Sequence, residues 1–260
     1  MSPDPVEGRV IHVYGTLDPQ APVPAWPAGI ADTPVSTVTE EGTVAITGEL
    51  PRDEFDPAEW ERHADDAAWL GAVAMGHHRV LQAAVAVGDV VPFRLPSLYG
   101  DLEALRRVLR GHAREITEAM DRIRGRIEWA VKLYRVSEPV AAEPASTGAD
   151  YLRARSRQAR VKTEAEAQQG QRVRTAYDQL RQASDAAVLN TPQDSLLTER
   201  REPMLLNAAF LVSRGEQDRF GEQIGEVAQD VEAEGLLLEA SGPWPAYNFT
   251  ATVDAGSERA

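Results

Sequence analysis

Apolar and polar positions divide the chain into short strands and longer helical stretches. Val10-Ile11-His12-Val13-Tyr14-Gly15 is an apolar run closed by glycine, the pattern of a buried first strand. Pro19, Pro22, Pro24 and Pro27 deny the following stretch regular structure, so a loop is predicted to Asp32. β-Branched runs at 35–39 and 43–48 flank a Glu40-Glu41-Gly42 turn and predict a hairpin. Asp56-Pro57-Ala58-Glu59 has a cap, a proline suited to the first helical position and a capping-box glutamate. Trp60, Ala64, Ala67, Leu70, Ala74, Leu81 and Ala84 then recur at helical spacing, predicting one helix to about Val87. Val90 to Leu95 reads as a short strand, and Pro92 places it at an edge or bulge. Asp101 caps a helix with a seam through Leu102, Leu105, Leu109, Ile116, Ala119 and Ile123, ended by Gly125.

Arg126 to Val136 alternates, with Ile127, Trp129, Val131 and Leu133 on one face and Glu128, Lys132 and Arg135 on a wet one. Ser137 to Gly148 has linker composition. One long helix is predicted from Tyr151 to about Leu189. Its second half keeps a seam at Val173, Ala176, Leu180, Ala183 and Ala187. Its first half, with Arg153, Arg155, Arg157, Arg160 and Lys162, is polar on most sides. Such a helix projects, pairs or frays, and an antiparallel return through Asp185 to Arg201 is expected. Met204 to Val212 reads as a central strand, Arg214 to Glu234 as a helix and Leu236 to Ala240 as a last strand. Residues from Thr250 onward read as a disordered tail. Hairpins mixed with helices, rather than strict alternation, make the fold class α+β. Two domains are expected: 1–124, ferredoxin-like, and 125–249, α+β with long antiparallel coiled-coil helices.

Composition narrows the function. The chain of 260 residues carries a net charge of −14 and no cysteine. Thiolate chemistry and disulfides are excluded, and an acidic surface disfavours nucleic acid and anionic lipid. No apolar run approaches the roughly 20 residues of a membrane span. The polar segment Met1 to Gly8 shows no signal peptide, which predicts a cytosolic location. Phosphate-cradling glycine loops, a serine nucleophile elbow and a zinc-protease motif are all missing. No catalytic, metal or cofactor residues are therefore assigned. His77 and His78 point about 100° apart on a helix and cannot readily share an ion. His77 is expected to be a buried or half-buried imidazole satisfying a backbone carbonyl. The pairs His63/Asp66 and His112/Glu115 supply two ligands each, fewer than a stable site needs. The basic stretch 153–162 lacks the interleaved aromatics of a nucleic-acid platform. Gly242-Pro243-Trp244-Pro245-Ala246-Tyr247-Asn248-Phe249 joins stiff backbone to aromatic area. It is expected to fold back on the core and to help seat a partner.

These segments, in this order, resemble the GvpF/GvpL family of gas vesicle proteins. The resemblance is carried by Val13-Tyr14-Gly15, Trp69-Leu70, His77-x-x-Val80-Leu81, Val91-Pro92-Phe93-Arg94, Gly125-Arg126-Ile127-Glu128-Trp129-Ala130-Val131-Lys132, Tyr151-Leu152, Leu206 to Val212, and Gly242 to Phe249. One departure is Arg94-Leu95-Pro96-Ser97, where the family has Arg-Phe-Gly-Thr. The resemblance implies a non-enzymatic accessory protein of gas vesicle assembly, more F-type than L-type. It implies binding to the major shell protein and other accessory proteins, at the gas vesicle in the cytoplasm. Candidate partner-binding residues are Arg94, Trp244, Tyr247 and Phe249. The alternatives are a small-molecule enzyme using His77 and Arg94, or a generic scaffold with no vesicle role.

Overall fold

The computed structural model describes residues 8–136, 148–192 and 202–250. The chain is mixed α+β, with two sheets in two compact units. One unit is formed by residues up to Glu128 and from Pro243 onward, the other by Trp129–Gly242. Pro243 to Phe249, expected with the second domain, thus packs with the first unit.

In the first unit β1 (Arg9–Leu17) is inner, pairing with β3 (Thr43–Pro51) on one side and with β4 (Val90–Pro92) and β5 (Leu98–Tyr99) on the other; β2 (Val35–Glu40) forms the edge beyond β3. That position explains the continuous apolar run of β1, which is buried on both faces from Val10 to Leu17. Glu41 and Gly42 have φ of 45° and 81°, the primed two-residue turn that matches strand twist. A short helix α1 (Arg52–Phe55) follows β3, and the single helix predicted from Asp56 is instead two, α2 (Pro57–Arg62) and α3 (Ala67–Val85). Asp56 caps α2 as expected, accepting from the Glu59 amide at 2.9 Å. Asp66 opens α3, accepting from the amides of Ala68 and Trp69. Local capping there outweighs continued helical spacing. The next predicted helix likewise breaks at His112 into α4 (Leu102–Gly111) and α5 (Ala113–Ile123). Both bury the predicted seam: Leu105, Leu109, Ile116, Ala119 and Ile123 are each under 5% exposed.

The second unit runs β6 (Arg126–Arg135), α6 (Gly148–Gln182), β7 (Ala186–Leu189), β8 (Met204–Ser213), α7 (Gln217–Glu232) and β9 (Leu236–Trp244). Its sheet order is β7-β8-β6-β9, so each helix joins strands that flank a third. That βαββαβ order is the split pattern expected of the first domain; the first sheet, which has three strands before its first α-helix, does not have it. β8 is an inner strand, as its apolar run predicts. The core joins Val131, Leu133, Ala176, Leu180, Phe210, Phe220 and Val227. The long helix ends at Gln182, and Ala186 to Leu189 pairs with β8, so the chain does not return there as a helix. Ala187 completes a sheet rather than a helical seam. The linker residues 137–147 and the rest of the expected return, 193–201, lie outside the described residues. Every position from Ala159 to Gln168 is exposed, as a helix polar all round requires. β9 continues past Ala240 to Trp244, and its edge position tolerates Pro243.

Candidate functional site

Three stretches of the first unit line a cleft of about 610 Å3. The first is the middle of α3, with Ala74, His77 and His78. α3 sits close to the chain at Ile30 because Gly76 has no side chain; a Cβ there would lie 3.0 Å from the Ile30 Cα. Close approach buries His77 at 3% exposure. The second stretch is the hook after β4, Pro92 to Leu95. The Phe93 amide donates to the Tyr14 carbonyl at 2.9 Å. The Ser97 hydroxyl donates to the Arg94 carbonyl at 2.6 Å, and the Val13 amide to the Ser97 carbonyl at 2.9 Å. The Leu95–Pro96 peptide is cis. The hook is thus tied to β1 at both ends and presents Arg94, exposed, at the cleft.

The third stretch is the chain end, with Tyr247, Asn248 and Thr250. It is fastened at several points. The Gln82 amide donates to the Pro243 carbonyl at 3.1 Å, and the Trp244 ring lies 4.8 Å from that of His78. Glu128 accepts from the Asn248 backbone amide at 2.8 Å and from its side-chain amide at 2.7 Å. Arg122 donates to the Phe249 carbonyl at 3.0 Å, and the Thr250 hydroxyl to the Ala246 carbonyl at 2.9 Å. Thr250 is therefore anchored, although a disordered tail is expected from it onward; 251–260 lie outside the described residues.

Of the four candidate residues, Arg94 and Tyr247 share the cleft. Trp244 is half-buried beside His78, and Phe249 is buried at 7% exposure, so its area serves the first unit's own packing. One residue was misread from pattern alone, and another only partly read. Glu128, placed on a wet face by alternation, is 3% exposed, and burial pushes its carboxyl from 4.5 up to about 7, partly offset by the two Asn248 bonds. His77 is buried as expected, with the Phe93 backbone beside it, but pattern did not show its other partner: its Nδ1 lies 3.0 Å from Nε2 of His12, itself wholly buried. Burial lowers His77 to about 4, with the Phe93 backbone opposing, and holds His12 well below its ordinary value. Both rings are neutral near pH 7. A histidine inside an apolar strand was the available signal for this pair, but its partner is 65 residues away. His77 and Arg94 do line one cleft, yet His77 is buried and bonded to a second imidazole. Among the described residues no three metal-ligating side chains gather, and no helix is long and apolar enough to cross a membrane.

Comparison with known proteins places the chain. The profile of "Gas vesicle synthesis protein GvpL/GvpF" matches residues 10–251. The chain belongs to the GvpL/GvpF family. It is 31% identical over 252 residues to gas vesicle protein L of Streptomyces sp. (strain CB03234), covering 93% of this chain and 92% of that protein. With gas vesicle protein F of the same strain identity is 27%, covering 92% and 98%. These identities do not favour the F type. The crystal structure of GvpF from Anabaena sp. PCC7120 shares the fold, with a TM-score of 0.69 over 94% of this chain and 97% of that one at 15% identity. GvpF from Microcystis aeruginosa gives 0.67, over 94% and 99%, at 14% identity. Membership in the family gives this chain a gas vesicle role.

Proposed function

We propose that this GvpL/GvpF member is a non-enzymatic accessory protein of gas vesicle assembly. It binds the major shell protein and other accessory proteins in the cytoplasm, at the growing vesicle. The observation that carries this reading is the family match along nearly the whole chain. The net charge of −14 supports it, since a strongly charged binder stays soluble while it holds an apolar partner. The cleft of the first unit supplies a surface for it, with Arg94 and Tyr247 as contact residues and the buried Phe249 as an anchor for the stretch that bears Tyr247. The small-molecule alternative draws on the shared cleft of His77 and Arg94, but a neutral, buried His77 bonded to His12 is poorly placed for proton transfer.

Co-expression with the major shell protein and affinity capture tests the proposal. The shell protein is expected to co-purify, and deletion of the gene in a vesicle-forming cell to abolish or deform vesicles under the microscope. No capture over a range of salt concentrations, together with normal vesicles in the deletion strain, overturns it.

A further inference from the structure

Arg94 stands apart from the other cations of its unit. No lysine precedes Lys132 in the sequence, so every cationic side chain before it is an arginine or histidine. Arg62, Arg79, Arg106, Arg110, Arg114 and Arg124 each pair with a carboxylate. Arg9, Arg52, Arg122 and Arg126 donate to backbone carbonyls, and Arg107 is also engaged. Arg94 alone among the first unit's arginines has no side-chain partner among the described residues, although the chain carries 41 acidic residues. Arg94 is exposed and lines the cleft, while its backbone carbonyl is held by the Ser97 hydroxyl.

Among the described residues the rest of the cleft lining adds no second charge. His77 and His78 are both lowered by burial, and Asn248 gives its donors to Glu128. Leu95 and the exposed Ala74 supply apolar wall, and the 42%-exposed Tyr247 a phenol. A planar guanidinium fork matches a carboxylate in two parallel bonds. A single cation suits one carboxylate better than a multiply charged phosphate. The volume of about 610 Å3 exceeds what a bare carboxylate fills and suits a side chain with its neighbours. We infer that this cleft receives a carboxylate carried on an acidic peptide segment of a protein partner, with Arg94 as its anchor and Leu95 and Ala74 taking an adjacent apolar side chain. This inference rests on the reading that the chain works by binding proteins.

Nuclear magnetic resonance of the full chain tests it through the Arg94 Nε–H signal and the Asn248 amide. The probes are acetyl-Leu-Glu-Leu-amide, the same peptide with Gln for Glu, and sodium acetate. The Glu peptide is expected to shift both signals saturably, with the Gln peptide and acetate each roughly tenfold weaker, the scale of one charge-assisted bond. Arg94→Gln, an exposed change, is expected to erase the preference for Glu over Gln, and Arg94→Lys to retain part of it. Equal binding of the two peptides, or a preference that survives Arg94→Gln, overturns the inference. Acetate binding as tightly as the Glu peptide also overturns it, by reducing the cleft to a simple anion spot. Capture of the shell protein by wild type alongside peptides that do not discriminate sinks this inference alone. A clear Glu preference in a protein that captures no shell protein supports the inference and counts against the proposed function.

Discussion

Glu128 offers the sharpest test of the energetics, because its substitution changes the sign of a stability trend. The carboxyl is 3% exposed, is hydrogen-bonded to Asn248 rather than to a cation among the described residues, and is pushed from 4.5 up to about 7. The folded chain therefore holds a proton that the unfolded chain has released between those values. Stability from this group is fully present below about pH 4.5 and is lost as pH rises through about 7. A shift of that size corresponds to about 3 kcal/mol, of which about 2.5 kcal/mol falls between about pH 5 and pH 8. Glu128→Gln cannot titrate. It also keeps only one acceptor for the two Asn248 donors, a loss of about 1–3 kcal/mol at any pH. The variant is thus expected to be less stable than wild type near pH 5 and to match or exceed it near pH 8. Urea unfolding of both proteins across this range reads the difference, and a carbon-13 carboxyl titration locates the group directly. A stability difference that stays constant between the two pH values, with no carboxyl midpoint above about pH 5.5, refutes the reasoning.

The buried histidines act in the opposite direction. His77 is lowered from 6.5 to about 4, so the unfolded chain takes up the proton first as pH falls, and about 3 kcal/mol is lost between about pH 6.5 and pH 4. Relative to His77→Asn, wild type is expected to lose that amount on acidification, with urea midpoints as the readout; parallel pH profiles count against it. Because Glu128 gains over much of the same range, wild type is expected to look flatter than either variant. In the second unit Phe210 is wholly buried among Phe220 and Tyr177, and Phe210→Ala is expected to cost about 3–5 kcal/mol in thermal or urea unfolding.

Local chemistry was enough to determine much of this protein. The β2–β3 turn is set by Gly42, the start of α2 by Asp56, the buried first strand by its apolar run, and the faces of α4 and α5 by spacing alone. Each of these follows from interactions within a few residues, which sequence displays directly. Tertiary structure decided what depends on partners far along the chain. Ala186 to Leu189 continues a helical pattern but is a strand, because β8 offers it a ladder. Glu128 sits on the face that alternation marks as wet, but Asn248, 120 residues later, covers it. His77 is paired by His12 from another element, and the aromatic chain end belongs to the first unit. Arg94 is visible in the sequence as one arginine among many. Only the fold shows that among the described residues its neighbours in space supply no carboxylate, which is a statement about distance that no local pattern contains.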